Sequence, residues 1–211
     1  MELYLGSSDL GNKVQELQNW IKKNGNNIIL IPNALDVMYN NSEKQRTINN
    51  DKEMLEEAGF DVKIVSLEEY FEKFDNLKND FEQYKAFYAI GGNVFSLRKA
   101  MELSGFDKYL KEKSMKEDVL YGGYSAGICV LAKKLSILKL ADSPRNPYND
   151  EDVLEEGIGL IDFLPIPHYK SEFPVGDIID KIVSYCDRHG IRYKTLKNGE
   201  AIVESTRELE R

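Results

Sequence analysis

The chain has few of the residues that build disulfide-rich or metal-binding proteins. Its 211 residues include two cysteines, two histidines and one tryptophan. Two cysteines are too few for a disulfide framework, and Cys129 and Cys186 lack the spacing of metal ligands. We therefore expect both cysteines to be small, buried hydrophobic residues, with Cys129 pointing into the core from a helix.

Long apolar runs and an excess of positive charge are also missing. No apolar run approaches the roughly 20 residues that a transmembrane helix needs. The segment Met1–Gly6 has neither the basic residues nor the cleavage site of a signal peptide, so we expect a first strand there. The formal net charge is −8 and the basic residues are dispersed, which argues against nucleic acid as a partner. The sequence thus predicts a cytoplasmic protein that binds neither nucleic acid nor membranes.

Short apolar strands alternate with amphipathic helices from the start of the chain to about residue 121. This alternation predicts a doubly wound, mostly parallel α/β sheet flanked by helices. No repeat, low-complexity segment or linker interrupts it, so we expect one domain over residues 1–211. The predicted strands are 3–5, 27–31, 61–65, 86–90 and 119–121, and the predicted helices are 13–23, 42–58 (with a capping box of Ser42 and Gln45), 67–77 and others to about residue 116.

The last third of the chain has a different texture. We expect a strand over Ser136–Leu140, a polar loop over Ala141–Asp152 and an amphipathic helix over Asp177–Cys186. The segment Thr195–Val203 reads as a hairpin, with Asn198-Gly199 as its turn.

The pentapeptide with the most chemical meaning is G-Y-S-A-G at residues 123–127. A strand, a sharp turn with a central serine and a helix form the nucleophile elbow of serine hydrolases. Residues two before and two after the serine must be small because the turn is so tight. An ordinary turn between strand and helix can show the same five residues, but the apolar runs on both sides favour Ser125 as a nucleophile.

A serine nucleophile needs a base, and the chain offers His168 and His189. His189 precedes Gly190 at the end of a predicted helix, where a histidine suits the helix dipole, so a structural role is favoured. His168 follows an apolar run and a proline and begins a polar loop, which makes it the candidate base.

The turn Gly91-Gly92 follows a predicted strand, as the pentapeptide does, so both should lie at the C-terminal edge of the sheet, where ligands bind. The Ala126 N–H would be the first donor of an oxyanion hole and the Gly92 N–H the second. The alternative is that Gly91-Gly92 only ends a strand.

Three segments together carry a resemblance to a known family: Ile90–Leu97, Gly123–Gly127 and Pro167–Tyr169. In order and spacing they resemble the aspartyl dipeptidase (dipeptidase E) family of serine peptidases, over nearly the whole chain. The resemblance implies a class I glutamine-amidotransferase-like (flavodoxin-like) three-layer sandwich and cleavage of short peptides without a metal or organic cofactor. It implies Ser125 as nucleophile and His168 as base, with Gly92 and Ala126 as oxyanion donors.

The third member of the catalytic triad departs from the family pattern. The family usually has a carboxylate in a late glycine-containing turn, and alignment of residues 196–201 places Asn198 there. An asparagine can accept a hydrogen bond from the histidine and orient it, but it cannot stabilise an imidazolium by charge. Glu200 next to it, and Asp142 where the family often has an aspartate, remain alternatives, and Asn198-Gly199 could simply be a turn.

Substrate preference is the second departure. Dipeptidase E prefers an N-terminal aspartate, whose side chain requires a cation, ideally an arginine. In dipeptidase E an arginine-containing segment follows the histidine, but residues 170–175 of this chain are shorter and hold no arginine. Lys170 could supply the charge or could be an ordinary surface lysine. The aspartate preference is therefore open.

The leading hypothesis is a serine exopeptidase that acts on short peptides. One alternative is a cyanophycinase-like peptidase on β-aspartyl-arginine polymer, which would need an acidic groove. Another is a non-catalytic amidotransferase-like binding domain, for which Asn198 in place of a carboxylate is the best support. The oligomeric state is open, with a homodimer among the possibilities.

Overall fold

The structure is a computed structural model that describes residues 1–116, 118–148, 152–172 and 174–206. The predicted loop residues 149–151, and Phe173 in the segment without arginine, lie outside the described residues. The strands are β1 (Glu2–Gly6), β2 (Asn27–Ile31), β3 (Asp61–Ile64), β4 (Ala86–Ala89), β5 (Leu120–Tyr124), β6 (Leu164–Ile166), β7 (Tyr193–Thr195) and β8 (Ala201–Ser205).

Six of these strands form the central sheet, in the order β3-β2-β4-β5-β1-β8. The first five are parallel, and β8 runs antiparallel to β1 at the edge. Strands β6 and β7 pair in parallel as a separate two-stranded sheet. The helices are α1 (Val14–Asn24), α2 (Asn41–Glu57), α3 (Phe74–Phe81), α4 (Val94–Ser104), α5 (Phe106–Lys113), α6 (Ala126–Cys129) and α7 (Val175–His189).

Both faces of the sheet are buried at its central strands, which explains why β2 and β4 are nearly continuous apolar runs. In β2, Ile29 and Ile31 belong to the hydrophobic cluster shared with α3 to α7, whereas Ile28 and Leu30 belong to the one shared with α1 and α2. Successive residues of a strand point to opposite faces, so one apolar run serves both clusters. The predicted three-layer α/β fold with a mostly parallel sheet is confirmed.

The C-terminal ends of neighbouring strands converge at one edge of the sheet. Gly6 of β1 pairs with Tyr124 of β5, and Ala89 of β4 pairs with Gly123 of β5. The residues that follow these three strands are therefore neighbours in space, although they are far apart in the chain. This edge is where parallel α/β sheets bind ligands.

The predicted strand Ser136–Leu140 is wrong, because these residues form a 3-10 helix. A strand would place Leu138 and Leu140 on the same face. The 3-10 helix instead brings Leu135 and Leu138 to the core, because residues three apart eclipse one another. Both are buried, whereas Leu140 is half exposed.

The predicted hairpin Thr195–Val203 is also wrong. Asn198-Gly199 does form a turn, with the Glu200 N–H donating to the Lys197 carbonyl at 3.0 Å. The strands on its two sides, however, pair with different sheets: β7 with β6, and β8 with β1. The turn therefore links the two sheets. Strand β8 pairs with β1, which would otherwise be the edge strand of the main sheet.

Two helix predictions needed smaller corrections. The N-cap of α2 is Asn40, whose Oδ1 accepts the N–H groups of Ser42 and Glu43, so the predicted capping box is not formed. The predicted helix 67–77 is divided into a 3-10 helix over Leu67–Tyr70 and α3, because Glu72 between them has a left-handed backbone with φ of 60°. The predicted helix over 177–186 is confirmed within α7. In the part of the chain that the structure describes, no helix is both long enough and apolar enough to cross a bilayer.

Candidate active site

Ser125 occupies a strained turn between β5 and α6. Its backbone φ is 49° and ψ is −115°, which non-glycine residues rarely adopt. The turn is tight against β4: a Cβ at Gly123 would lie 2.6 Å from the Ala89 carbonyl oxygen, and one at Gly127 would lie 2.0 Å from the same atom. The small residues on both sides of the serine are thus required by the last carbonyl of the neighbouring strand.

A chain of two hydrogen bonds links three of the predicted site residues. The Ser125 Oγ lies 3.1 Å from His168 Nε2, and His168 Nδ1 lies 2.8 Å from Asn198 Oδ1. An amide oxygen only accepts, so this contact places the proton on Nδ1 and leaves Nε2 as the acceptor for the serine hydroxyl. The ring is therefore held in the tautomer that a general base requires.

The other two candidates for the third triad position lie elsewhere. Glu200 Oε2 accepts the Lys197 N–H at 2.8 Å within the turn. Asp142 Oδ2 accepts the Val94 N–H at 2.8 Å, at the start of α4. Neither carboxylate contacts His168 Nδ1, so Asn198 is the residue that the fold places there.

The Gly91-Gly92 turn lies against the nucleophile. A Cβ at Gly91 would stand 3.2 Å from the Ser125 Cβ, and one at Gly92 would stand 2.5 Å from the Ala34 carbonyl oxygen. Gly92 also has φ of 141°, so this position requires glycine. Among the described residues its N–H has no hydrogen-bond acceptor, and the Ala126 N–H, as the first of α6, has no intrahelical one. Two backbone donors thus remain available beside Ser125.

Ser7, which the sequence analysis did not single out, ties the two halves of the site together. It is fully buried directly after β1. Its carbonyl accepts the Ser125 N–H at 3.1 Å, and its Oγ accepts the His168 N–H at 2.9 Å. The same hydroxyl donates to the Leu196 carbonyl at 3.2 Å, with Asn198 Oδ1 at 3.4 Å. The sequence did contain a signal for Ser7: it is a polar residue directly after the apolar first strand, at the edge of the sheet where ligands are expected.

His168 itself has a left-handed backbone, with φ of 58°. Such a conformation is uncommon outside glycine and is kept only when neighbouring contacts fix it. Here the hydroxyl of Ser7 holds the His168 N–H, and the Leu196 carbonyl accepts the next N–H, of Tyr169, at 2.9 Å. These bonds fix the direction in which the imidazole leaves the backbone.

Beside Ser125 and His168 lies a cavity of about 210 Å³. Its polar wall includes Asp142, and helix α7 closes one side. Most of the wall is apolar and comes from five elements of the chain: α4, α6, the 3-10 helix over Ser136–Leu140, β6 and α7. Six of these apolar residues are Val94, Cys129, Leu138, Ile166, Ile179 and Ile182.

Asp142 is the carboxylate that lines this cavity. Burial raises its pKa above the usual range, while the hydrogen bond from the Val94 N–H and the nearby charge of His168 act in the opposite direction. Among the described residues, only one carboxylate oxygen, Oδ2, has a hydrogen-bond donor. The second oxygen is available to a ligand.

Cys129 lines the same cavity but is not poised for chemistry. It is buried, and burial raises the pKa of its thiol well above the usual value. Its Sγ donates to the Pro165 carbonyl at 3.4 Å. Cys186 is buried as well, so the prediction that both cysteines are small core residues is confirmed.

The remaining candidates lie away from the cavity. Lys170 is exposed, with its Nζ 5.4 Å above the ring of Tyr169. His189 is the last residue of α7, where its Nδ1 lies 2.8 Å from the Tyr185 carbonyl, as a structural role at a helix end predicts. Over the described residues, no group of three or more His, Cys, Asp or Glu side chains could hold a metal ion.

Comparison with known proteins gives matches at two levels. The sequence profile of peptidase family S51 matches residues 3–210. No curated protein matches the chain. A crystal structure of a Listeria monocytogenes EGD-e protein, provisionally assigned as a peptidase E, is 24% identical with a TM-score of 0.78 and covers 97% of this chain and 94% of its own. A peptidase from an acI-B1 Actinobacterium is 16% identical with a TM-score of 0.67, over 97% of this chain and 83% of its own. Both likenesses bear on the fold.

Proposed function

The chain belongs to peptidase family S51 and is a serine-type peptidase, and on this premise we propose that it is an exopeptidase that hydrolyses short peptides through a Ser–His acyl-enzyme mechanism. The predicted relationship to the dipeptidase E family is confirmed by this membership. The observation that carries the proposal is the hydrogen-bonded chain Ser125–His168–Asn198 at the strained elbow.

In the first half of the reaction, the Ser125 Oγ attacks the scissile carbonyl while His168 Nε2 takes the hydroxyl proton. The N–H groups of Gly92 and Ala126 receive the oxyanion. His168 then gives the proton to the leaving amine. In the second half, His168 activates a water molecule that hydrolyses the ester on Ser125 and restores the free enzyme.

Asn198 has a limited role in this scheme. Its Oδ1 orients the ring of His168 and fixes its tautomer, as the asparagine of Cys-His-Asn sites does. It adds no charge against the imidazolium. Asp142 lines the same cavity as His168, but it makes no hydrogen bond to the imidazole.

The size of the cavity and the position of Asp142 support an exopeptidase. The volume of about 210 Å³ is below the roughly 300–1,000 Å³ of sites for drug-sized ligands and suits a single residue. An N-terminal residue also carries an α-ammonium, and the unpaired oxygen of Asp142 is a partner for it. We therefore assign Asp142 to substrate anchoring rather than to the triad.

The test is mass spectrometry of a dipeptide and tripeptide library after incubation with wild-type and Ser125→Ala protein, with α- and β-linked aspartyl peptides included. Cleavage by the wild type alone supports the proposal. Cleavage that persists in Ser125→Ala contradicts the nucleophile. Selective cleavage of β-aspartyl-arginine favours the cyanophycinase-like alternative, and absence of any cleavage favours a non-catalytic binding domain.

A fluorophosphonate probe provides a control that does not depend on the choice of peptide. Such probes react with activated serines, so the wild type should be labelled on Ser125 and Ser125→Ala should not. Ser8→Ala is a matched control, because Ser8 is a partly exposed serine whose Oγ contacts the neighbouring Asp9. Its labelling should equal that of the wild type.

A further inference from the structure

The walls of the cavity beside Ser125 bear on which peptides are cleaved. Among the described residues that line it there is no lysine and no arginine, and Asp142 is the one carboxylate. Lys170 is exposed and lies against Tyr169 rather than in this wall. Apart from the catalytic Ser125 and His168, a substrate side chain inside the cavity would meet apolar groups and one acidic group.

From these walls we infer that the cavity receives the side chain of the residue whose carbonyl Ser125 attacks, and that it selects apolar side chains and rejects acidic ones. This inference rests on the proposed function and names its substrate class. Ser125, the Ala126 donor and Asp142 share the cavity. A residue with its carbonyl at Ser125 and its α-ammonium at Asp142 leaves its side chain among the apolar walls.

An acidic side chain is disfavoured for two physical reasons. A carboxylate taken from water into an apolar cavity needs a cationic partner or several donors. The described walls provide no lysine or arginine, and their one histidine, His168, is engaged with Ser125 and Asn198. The carboxylate would also share a low-dielectric space with Asp142, and two neighbouring carboxylates repel unless one takes up a proton. The cavity thus lacks the feature that recognition of an N-terminal aspartate requires.

An apolar side chain gains where an acidic one loses. Ile166 and Ile182 are almost completely buried, and Leu138 and Ile179 are largely so, which makes the wall well packed and already formed. A leucine or methionine side chain that enters such a space is removed from water. The free energy gained is proportional to the apolar surface area that is buried. We expect these two residues to be the best at the position before the cleaved bond.

The first experiment compares kcat/KM for four dipeptides, Leu-Ala, Met-Ala, Asn-Ala and Asp-Ala, with the wild-type protein. Asparagine has nearly the same shape as aspartate without its charge, so the ratio of Asn-Ala to Asp-Ala isolates the effect of charge. We expect Leu-Ala and Met-Ala to exceed Asn-Ala, and Asn-Ala to exceed Asp-Ala, with about 100-fold between Leu-Ala and Asp-Ala. Equal or faster cleavage of Asp-Ala overturns the inference while the peptidase function stands.

A charge-insertion variant tests the same point from the side of the protein. Val175 lies at the cavity and is 42% exposed, so Val175→Arg should fold and place a cation there. We expect the ratio of Asp-Ala to Leu-Ala cleavage to rise about tenfold. Val203→Arg is the matched control, because Val203 is 38% exposed and lies on β8, away from the site. An unchanged ratio in Val175→Arg, or an equal rise in Val203→Arg, counts against the inference.

Binding to Ser125→Ala separates failure of this inference from failure of the proposed function. Isothermal titration calorimetry of this variant measures the dissociation constants of Leu-Ala and Asp-Ala without turnover. Tighter binding of Leu-Ala supports the inference even if the wild type cleaves no peptide, in which case the proposed function fails alone. Tighter binding of Asp-Ala, or binding of neither, overturns it.

Discussion

The two halves of the site are built in different ways. The nucleophile half is local: β5, Ser125 and α6 follow one another directly and form the elbow. One neighbouring carbonyl, of Ala89, limits the size of the side chains at positions 123 and 127. The base half is assembled from remote parts of the chain. His168 follows β6, Asn198 follows β7, and Ser7 after β1 joins them. The geometry of the nucleophile half therefore depends on steric fit, and the geometry of the base half depends on hydrogen bonds between residues far apart in the chain.

A methyl group at Gly127 should break the local half and have the largest effect. The Cβ would lie 2.0 Å from the Ala89 carbonyl oxygen, and a backbone atom cannot move aside as a flexible side chain can. We expect Gly127→Ala to abolish detectable peptidase activity and to destabilise the protein by more than about 2 kcal/mol. Thermal unfolding and the dipeptide assay measure the two effects.

Gly190→Ala is the control for this variant. Gly190 has φ of 63°, but a Cβ there would meet nothing within 4 Å. Its expected cost is backbone strain alone, about 1 kcal/mol, with activity retained. If Gly127→Ala unfolds no more easily than Gly190→Ala, the steric account of the elbow is wrong.

Removal of the Ser7 hydroxyl should weaken the remote half without unfolding the protein. Ser7→Ala leaves the His168 N–H without its acceptor at 2.9 Å, while the Ser7 carbonyl still holds Ser125. We expect kcat to fall about 10- to 100-fold with little change in KM, because the base is misplaced rather than the substrate. Steady-state kinetics of Ser7→Ala and of the control Ser8→Ala measure both constants. A rise in the KM of Ser7→Ala as large as its fall in kcat would show that the substrate cavity, and not only the position of the base, has been damaged.

A carboxylate at position 198 should sharpen the contrast between orientation and charge. Asn198→Asp keeps an acceptor for His168 Nδ1 and adds a negative charge beside it, which favours the protonated imidazole. We expect kcat/KM to rise several-fold at high pH and the acidic limb of its pH profile to move to higher pH. Asn198→Ala should lose activity at all pH values. An acidic limb that does not move would exclude His168 as the titrating base.

The smallest expected effect on activity concerns a tertiary contact beneath the elbow. The Tyr124 hydroxyl donates to Asp51 Oδ2 at 2.8 Å, and burial raises the pKa of Asp51 to about 6, against a partial lowering by this hydrogen bond. Between about pH 4 and pH 6, Asp51 is therefore protonated in the folded protein and ionised in the unfolded chain. Since the folded state binds more protons there, stability falls as pH rises through this window.

Asp51→Asn should remove this dependence. As the pH rises from 4 to 7, the free energy of unfolding of the wild type should fall by about 2–3 kcal/mol more than that of Asp51→Asn. Urea unfolding of both proteins at several pH values measures the difference, and the dipeptide assay should show nearly unchanged activity. A constant difference across this range would mean that Asp51 does not titrate there.

Errors of prediction occurred where short segments depend on distant partners. Ser136–Leu140 fits a strand or a 3-10 helix equally well by pattern, and the positions of Leu135 and Leu138 against the core decided between them. The Asn198-Gly199 turn was recognised, but no local feature shows that β8 would leave β7 and pair with β1. Periodicity reports which face of a segment is apolar, not which partner covers it.

By itself, the sequence determined the alternating α/β order, the elbow around Ser125 and the choice of His168 over His189, because each depends on residues that are neighbours in the chain. Only the tertiary structure placed Asn198 rather than Glu200 or Asp142 at the histidine, brought Ser7 between the two halves, and enclosed an apolar cavity that has Asp142 in its wall. The reason is that hydrogen bonds act over about 3 Å. Which groups come that close is decided when parallel strands from distant parts of the chain end at the same edge of one sheet.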